Sequence, residues 1–367
     1  MLRLAIKHAW FERTRFWLGI SAVAAAVALI ATMQAIFAGF NQQLTKFVEV
    51  AGADLWVAQK DVSNFYLANS VVPVGALEQV SHVSGVQQAM PVLLFPISLK
   101  LNSDTINNWL MGIPQDAPMG GPWLVRQGAK LPRGEQVILD DSVTKPYGLG
   151  VSDKVALGGQ DFVIGGVAGQ TSRMGSAMIF MDLSTARANF RLPDQTSWIL
   201  VKVRSGESVE LVRRDIQNQV EGIEVWTVPE LVASDRKLNL EMGGNILQLM
   251  TLIALVIGFV SVSLTVFVTV IERLRDYAVL KAVGCSSPTL LGMVLNQALT
   301  MASLGWVFGS FLVVGMAPVA NAVGTVLLVL TPESLLSNLP VCLAIGLVAS
   351  LPAWLTIARA KSISAFH

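Results

Sequence analysis

The chain has 367 residues, of which 53% are hydrophobic and 14% are charged, and its mean hydropathy is +0.58. A composition this apolar excludes an ordinary soluble globular protein and indicates a membrane protein. The formal net charge is only +1, so the charges are informative through their positions along the chain.

Four stretches without a charged residue are long enough to cross a membrane as helices, since about 20 apolar residues suffice. The third of these charge-free stretches also contains residues 319–330, a short apolar piece between Pro318 and Pro332. We expect that piece to be a re-entrant or interfacial segment in an outer connection, residues 317–338. The predicted transmembrane helices are residues 17–40, 246–271, 288–316 and 339–358.

The positions of Lys and Arg predict the orientation of these helices. Basic residues occur before the first span, in residues 272–287 and in the tail, residues 359–367, but not in the connection before the fourth span. Positive residues stay cytoplasmic, so both termini and the 272–287 segment should lie inside the cell. Residues 1–16 are expected to form an amphipathic helix on the cytoplasmic face of the inner or plasma membrane.

Residues 41–242 then form a large extracytoplasmic domain between the first two spans. They hold 17 of the 26 Lys and Arg residues and 21 of the 25 Asp and Glu residues, which gives them a net charge of −4. A mildly acidic domain argues against nucleic acid as a partner, because nucleic acid requires clustered basic charge. Neither cysteine lies in this domain, so it should fold without disulfides.

Alternating and short apolar patterns predict an α+β fold for this domain. We expect one sheet with helices on a single face and, inserted into it, a β-rich subdomain at about residues 120–190. Helices at 41–50 and 229–242 should continue the first two spans as a stalk. The strands of the sheet are predicted at 53–58, 85–101, 197–204 and 223–228, and its helices at 75–83 and 207–220.

Residues typical of catalytic or metal sites form no convincing grouping. The stretch GGVAGQTS, residues 165–172, lacks the lysine of a phosphate-binding loop and is better explained as a glycine-rich strand turn. The pair Asp140 and Asp141 is better explained as helix capping. The three histidines are scattered and show no ligand spacing. We therefore predict no enzymatic activity, nucleotide site or metal site on this chain.

The segment ERLRDYAVLKAVGCSSP, which begins at Glu272, carries a dense cluster of charges between two apolar spans. Glu272 with Arg275 and Arg273 with Asp276 are spaced i,i+3, so each pair can meet on the surface of a short helix. Physical reasoning alone leaves two interpretations open. The segment is either a solvated hairpin that sets topology or a rigid helix against which a cytoplasmic partner pushes.

The two ends and the less polar side of this helix can also be predicted. Gly284 suits the position after a helix end, where φ is positive. Ser287 should cap the next helix, with Pro288 as its first residue. The less polar side, which we expect to enter a partner's groove, comprises Leu274, Tyr277 and Ala278.

The segment resembles the coupling-helix motif of the MacB/FtsX/LolC-type (type VII) ABC permeases. That motif begins with glutamate–arginine and ends with the pattern VL-K/R-A-x-G. Asp276 stands where a glutamate is usual, and Tyr277 where a small or branched apolar residue is usual. Residues 52–57 and 137–169 also resemble this family. The matching residues of the motif are Glu272, Arg273, Val279, Leu280, Lys281, Ala282 and Gly284.

The resemblance implies an α-helical membrane protein with four transmembrane helices and an α+β extracytoplasmic domain inserted between helices 1 and 2. It implies a permease without its own ATPase, which pairs with a second copy and docks an ABC ATPase that binds ATP and Mg²⁺. Such permeases transmit ATP-driven motion outward and expel a hydrophobic or amphipathic substrate from the outer leaflet. The ATPase-coupling residues implied are Glu272, Arg273, Arg275, Asp276, Leu280, Lys281 and Gly284.

Several members of the family are similar to this chain, and the residues do not choose among them. HrtB-type permeases export haem, and DevC-type permeases work with a membrane-fusion adaptor in cells with two membranes. FtsX-like permeases activate an extracytoplasmic hydrolase without transport. Haem would need an axial donor, although methionine is more often a core residue. The candidate haem or substrate contacts are Tyr66, Met90, Met174, Met178 and Met242.

Overall fold

The computed structural model describes residues 13–65, 69–101, 104–173, 176–192, 194–241, 245–272, 274–323, 328–352 and 355–356. The chain divides into two compact units. The membrane unit is Met1–Gly39 with Gly243–His367, and the outer unit is Phe40–Met242. Residues 1–12, most of the predicted amphipathic helix, lie outside the described part.

The described part begins with one long helix, α1 (Arg13–Val50). Its centre is rich in alanine, which has the highest helix propensity, and proline is absent from it. The residues before Phe40 belong to the membrane unit and those from Phe40 onward to the outer unit. The predicted first span and the first predicted stalk segment are therefore parts of a single helix.

The outer unit is an α+β structure. In chain order its elements are β1 (Leu55–Gln59), α2 (Ala76–His82), β2 (Val86–Leu101), β3 (Asp104–Ile113), β4 (Val125–Gly128), β5 (Gln136–Asp140), α3 (Asp141–Thr144), β6 (Lys154–Leu157), β7 (Gln160–Ala168), β8 (Ser172–Arg173), β9 (Ser176–Asp182), α4 (Leu183–Asn189), β10 (Trp198–Val203), α5 (Val209–Gln219), β11 (Ile223–Thr227) and α6 (Val228–Asn239).

The first layer of the outer unit is an antiparallel sheet in the order β11-β1-β10-β2. Helices α2 and α5 cover one face of this sheet, where Val80 and Ile216 belong to the same buried cluster as Val57. The expected helices therefore lie on a common face. Alternation along β1 sends Leu55 and Val57 to that face and Trp56 to the opposite one.

The opposite face is covered as well, which the expectation of helices on a single face did not include. Phe47 near the end of α1 and Leu231 of α6 join Trp56 and Trp198 in one buried cluster. Strand β10 is apolar and buried through Leu200 and Val201, not alternating. A strand that is apolar at successive positions must be covered on both faces.

The β-rich subdomain is a barrel. The described strands form a ring in the order β2-β3-β9-β5-β7-β6, and β6 pairs back with β2. Its interior is filled by side chains such as Leu99, Leu110, Ile164 and Ile179. The barrel includes residues 93–113, whereas the predicted subdomain began near residue 120. Strand β2 belongs to both layers, a pairing that its own sequence pattern cannot show.

Asp140 is a helix cap, as predicted, and it also anchors the glycine-rich turn. Its carboxylate accepts hydrogen bonds from Ser142 N at 2.9 Å and from Thr171 N and Oγ1 at 2.6 and 2.7 Å. Thr171 lies in the stretch GGVAGQTS. The neighbouring Asp141 instead forms ion pairs with Arg126 and Lys145.

The membrane unit continues with α7 (Asn245–Glu272), α8 (Leu274–Ala282), α9 (Ser287–Val323) and α10 (Pro332–Ala349). Among the described residues, three helices are long and apolar enough to cross a membrane: Trp17–Val50, Gln248–Glu272 and Pro288–Asn321. The fourth predicted span corresponds to a shorter apolar helix, Pro332–Val348. The count of four spans therefore stays a prediction.

Helix α9 packs closely against α1 through two glycines. A Cβ atom built on Gly309 would lie 2.6 Å from the carbonyl oxygen of Ala24, and one built on Gly305 would overlap the side chain of Val23. Any larger residue would force the two helices apart. These glycines therefore permit a close helix contact.

The connection before α10 is described only in part, so the expected re-entrant or interfacial segment at residues 319–330 stays a prediction. Helix α9 continues through Pro318 to Val323, so the first part of residues 319–330 is helical. Beyond residues 324–327, which lie outside the described part, Leu328 N donates to the Asn321 side chain at 2.7 Å. Val329 N then donates to the carbonyl oxygen of Ala35 in α1 at 3.1 Å.

Candidate functional site

Helix α8 lies between two long apolar helices of the membrane unit. It follows α7 after a single residue, Arg273, and a short turn separates it from α9. Tyr277 is buried in the same core as Val270 of α7 and Leu290 of α9, and Ala278 is buried as well. This packing fixes α8 against the helices on either side of it.

The exposed side of α8 is also apolar, and it is not the side that the sequence predicted. Val279 and Leu280 of α8, and Val283 directly after its end, are exposed by 49%, 37% and 82% of their surface. The predicted binding side included Tyr277, which is only 9% exposed, and Ala278. A short helix with apolar residues on two sides does not reveal which side the bundle will cover. We call Val279, Leu280 and Val283 the α8 apolar face.

The end of α8 is a tight, hydrogen-bonded stop at Gly284, as predicted. Gly284 has φ of 99°, Gly284 N donates to Lys281 O at 3.2 Å, and Cys285 N donates to Leu280 O at 2.9 Å. This pair of bonds is a Schellman motif with glycine at C′. The motif fixes the direction in which the chain leaves α8.

The start of α9 is shifted by one residue from the prediction. Ser286, not Ser287, precedes the helix, and its carbonyl oxygen accepts hydrogen bonds from Thr289 N at 3.0 Å and Leu290 N at 3.3 Å. Pro288 is therefore the second helical residue and not the first. The prediction that Ser287 caps the helix was wrong. Ser286 and Ser287 both precede Pro288, and the sequence alone does not show which of them is the last residue before the helix.

The predicted ion pairs of the segment fall partly outside the described residues. Arg273 and the side chain of Arg275 are not described. Glu272 and Asp276 are exposed, and Lys281 is partly exposed. The two predicted i,i+3 pairs therefore stay predictions.

The candidate substrate contacts do not form a site among the described residues. Tyr66, Met174 and Met242 lie outside them. Met90 and Met178 are buried in the core of the outer unit. No group of three or more His, Cys, Asp or Glu side chains in the described part could hold a metal ion.

An aromatic cluster at the outer end of α1 was missed by sequence reasoning. The ring of Phe47 lies 5.3 Å from Phe65, 5.9 Å from Trp56 and 6.0 Å from Trp123, measured between ring centroids. Its members come from distant parts of the chain, so only their apolar character was visible beforehand. Phe47 thus anchors the last turns of α1 in the core of the outer unit.

A polar contact joins the same turns of α1 to α6. A guanidinium nitrogen of Arg236 in α6 lies 3.5 Å from a carboxylate oxygen of Glu49 in α1. The neighbouring Asp235, which is buried, accepts a hydrogen bond from Phe65 N at 3.0 Å. Both helices that bound the outer unit along the chain are thereby fixed within it.

Family models match two large parts of the chain. Residues 16–219 match the model of the MacB-like periplasmic core domain, and residues 249–362 match the FtsX-like permease C-terminal model. The chain belongs to the MacB/FtsX-type ABC transporter permeases. Together with its apolar helices, this makes it a membrane protein with an extracytoplasmic domain, and membership implies an ABC ATPase as partner.

Two relatives and one solved structure illustrate the similarity. The permease is 22% identical to an uncharacterised ABC transporter permease of Mycobacterium tuberculosis over 95% of both chains. It is 23% identical to the macrolide export ATP-binding/permease protein MacB of Nitrosomonas europaea, over 85% of this chain and 50% of that one. The crystal structure of the periplasmic region of MacB from Actinobacillus actinomycetemcomitans is 14% identical, with a TM-score of 0.39, over 53% of this chain and 97% of that one.

Proposed function

We propose that this permease couples ATP hydrolysis by a separate cytoplasmic ATPase to the extrusion of a hydrophobic or amphipathic substrate from the outer leaflet or the extracytoplasmic side. The observation that carries the proposal is the α8 apolar face. It is exposed on a helix that is held in the membrane unit by buried residues on its other side.

An exposed apolar face next to charged residues is suited to binding another protein. Fully burying one aliphatic side chain contributes about 1.5–3 kcal/mol, and a few such residues usually dominate an interface. Glu272, Asp276 and Lys281 would orient the ATPase around the face, since charges at the rim favour correct docking. The partner would bind ATP and Mg²⁺.

The substrate class follows from the composition of the spans. The predicted spans contain no Asp, Glu, Lys, Arg or His side chain that could line a hydrophilic path through the membrane. A substrate that never crosses such a path must be taken from the outer leaflet or from outside. We infer that two copies act together and that, in a cell with two membranes, an adaptor receives the substrate.

Neither alternative is favoured by the described residues. Haem export gains no support from Met90 and Met178, which are core residues, and the other three candidate contacts lie outside the described residues. Signalling to an extracytoplasmic hydrolase would use the same α8 apolar face, so the two mechanisms differ only in whether a compound is moved. ATP hydrolysis that responds to an added compound supports transport.

The test is co-purification of the full-length permease with the ABC ATPase of the same organism that serves it. We expect Leu280→Asp to weaken association more than about tenfold, because a charge would enter a buried contact and about 1.4 kcal/mol corresponds to one decade. Leu211→Asp is the matched control, since Leu211 is an exposed leucine, 60% accessible, in α5 of the outer unit. Equal association of both variants and the unmodified permease would refute the proposal.

A further inference from the structure

Strand β11 is the outermost strand of the first sheet layer in the outer unit. Among the described strands it pairs with β1 alone, with Val225 opposite Val57. A strand at the edge of a sheet presents a row of backbone N–H and C=O groups with which a further strand can pair. Such an edge is a place where an extended segment of another chain can add to the sheet.

The register shows which backbone groups of β11 point away from β1. Lys60 N donates to Gly222 O at 3.0 Å, so Gly222 faces β1. Because the direction alternates along an antiparallel strand, Glu224 and Trp226 also face β1. The residues whose backbone groups point outward are therefore Ile223, Val225 and Thr227.

The side chain of Gln217 in α5 pairs with this outward edge in the way that a neighbouring strand would. Gln217 Nε2 donates to Ile223 O, and Val225 N donates to Gln217 Oε1, both at 2.9 Å. A glutamine amide carries N–H donors and a carbonyl acceptor, as a peptide group does. One side chain thus satisfies an acceptor and a donor that β11 would otherwise offer to a further strand.

The next outward position is closed from the other side, by α6. Thr227 N donates to Glu230 Oε2 at 2.9 Å as part of a capping box. Gln217 itself follows the buried Ile216, so the packing of α5 on the sheet places the amide at the edge. The helix before β11 and the helix after it therefore both contribute side chains that close the edge.

We propose that Gln217 keeps the edge of β11 closed to strand addition, and that the strand it excludes is β11 of a second copy of this chain. Two identical edges are complementary when they meet antiparallel about a two-fold axis. The sequence of β11, IEVWT, is β-branched or aromatic except at Glu224, which favours strand pairing. This role of Gln217 is independent of the ATPase and of any substrate.

The first experiment measures hydrogen exchange of single backbone amides in the full-length permease in detergent. In the unmodified permease the Val225 amide should exchange slowly, as the Glu224 amide that faces β1 does. Gln217→Ala should speed exchange at Val225 about tenfold, because the amide loses its acceptor. Gln219→Ala, at an exposed amide of the same helix, is the matched control and should change neither rate.

The second experiment tests whether the edge accepts a strand once Gln217 is removed. The probe is a dye-labelled synthetic peptide with the sequence of residues 222–228, and its binding is followed by fluorescence anisotropy. The peptide should bind the Gln217→Ala permease but neither the unmodified permease nor Gln219→Ala. A control peptide with Glu224→Pro and Val225→Pro should bind none of them, because proline cannot donate to a strand ladder.

Two results would overturn the proposal. Equal binding of the peptide to the unmodified and Gln217→Ala permeases would mean that the edge is already open. A folded Gln217→Ala permease that binds no peptide would mean that Gln217 only fixes α5 to the sheet.

A variant that fails to fold does not remove the test. Gln217→Met, which keeps an unbranched side chain and loses both hydrogen bonds, then replaces Gln217→Ala. Exchange at Val225 in the unmodified permease is decisive by itself on one point: exchange as fast as in an unstructured chain would show that the edge is not closed.

Discussion

The contribution of a single residue to the stability of this permease depends on a few contacts of its side chain. Asp140 and Asp141 are adjacent and chemically identical, yet the first is fully buried with three hydrogen bonds and the second forms ion pairs with partners on the surface. Burial makes the loss of an acceptor costly, because the donors left behind cannot reach water. Ion pairs with exposed partners are worth little.

This difference gives a residue-scale prediction. Asp140→Ala should lower the free energy of unfolding of the outer unit by about 2–3 kcal/mol, since it removes the cap and the anchor of Thr171. Asp141→Ala should cost about 0.2–1 kcal/mol. Chemical denaturation of the two variants measures the difference, and equal losses would contradict the assigned role of Asp140.

At the scale of elements, the contact between α1 and α9 depends on the small size of two glycines. Gly305 and Gly309 face Val23, Ala24 and Val27, whereas Gly315, six residues further along α9, has open space around it. The same substitution in one helix should therefore be costly at Gly309 and nearly neutral at Gly315.

We expect Gly309→Ala to lower the stability of the full-length permease by about 1–3 kcal/mol, because the added methyl group meets the Ala24 carbonyl oxygen at 2.6 Å. Gly315→Ala should change it by less than about 0.5 kcal/mol. Thermal unfolding in detergent is the measurement. Equal behaviour of the two variants would show that α1 and α9 are not in close contact.

The turn between α8 and α9 is the second element whose geometry is fixed by one glycine. Gly284→Val should destabilise the turn by about 1–2 kcal/mol, because a branched residue strongly disfavours a φ of 99°. It should also weaken ATPase association by changing the direction of α8. Gly292→Ala, in α9 with no atom within 4 Å of an added Cβ, is the control. Association that survives Gly284→Val intact would mean that the direction of α8 is unimportant.

At the scale of the whole molecule, two units of different chemistry share one chain. The outer unit carries most of the charge and the membrane unit carries the apolar helices. The orientation of the membrane unit is a prediction from the basic residues at both ends and in residues 272–287.

Single-cysteine labelling of cells tests that orientation and the span count together. In a variant without Cys285 and Cys342, new cysteines at Ser205 and Ser337 should react with an impermeant reagent from outside, and one at Ser362 should not. Labelling at position 362 from outside would mean an odd number of spans. Protection at position 337 would place the start of α10 inside the cell or the bilayer.

The sequence alone determined the features that depend on local composition. Charge-free runs predicted apolar helices, alternation predicted strands such as residues 85–101, and the segment from Glu272 predicted a short helix that stops at Gly284. These features follow from hydrophobicity, helix propensity and backbone geometry, which act over a few neighbouring residues.

Tertiary structure decided everything that depends on which distant residues meet. It turned Tyr277 inward and Leu280 outward, closed the barrel by pairing β6 with β2, and brought Gln34 to Asn338 across more than three hundred residues. The residues next to a side chain in the sequence do not show which distant residue it will contact. Many apolar or polar surfaces of helices and strands are locally equivalent, and one arrangement is selected only when all of them pack together.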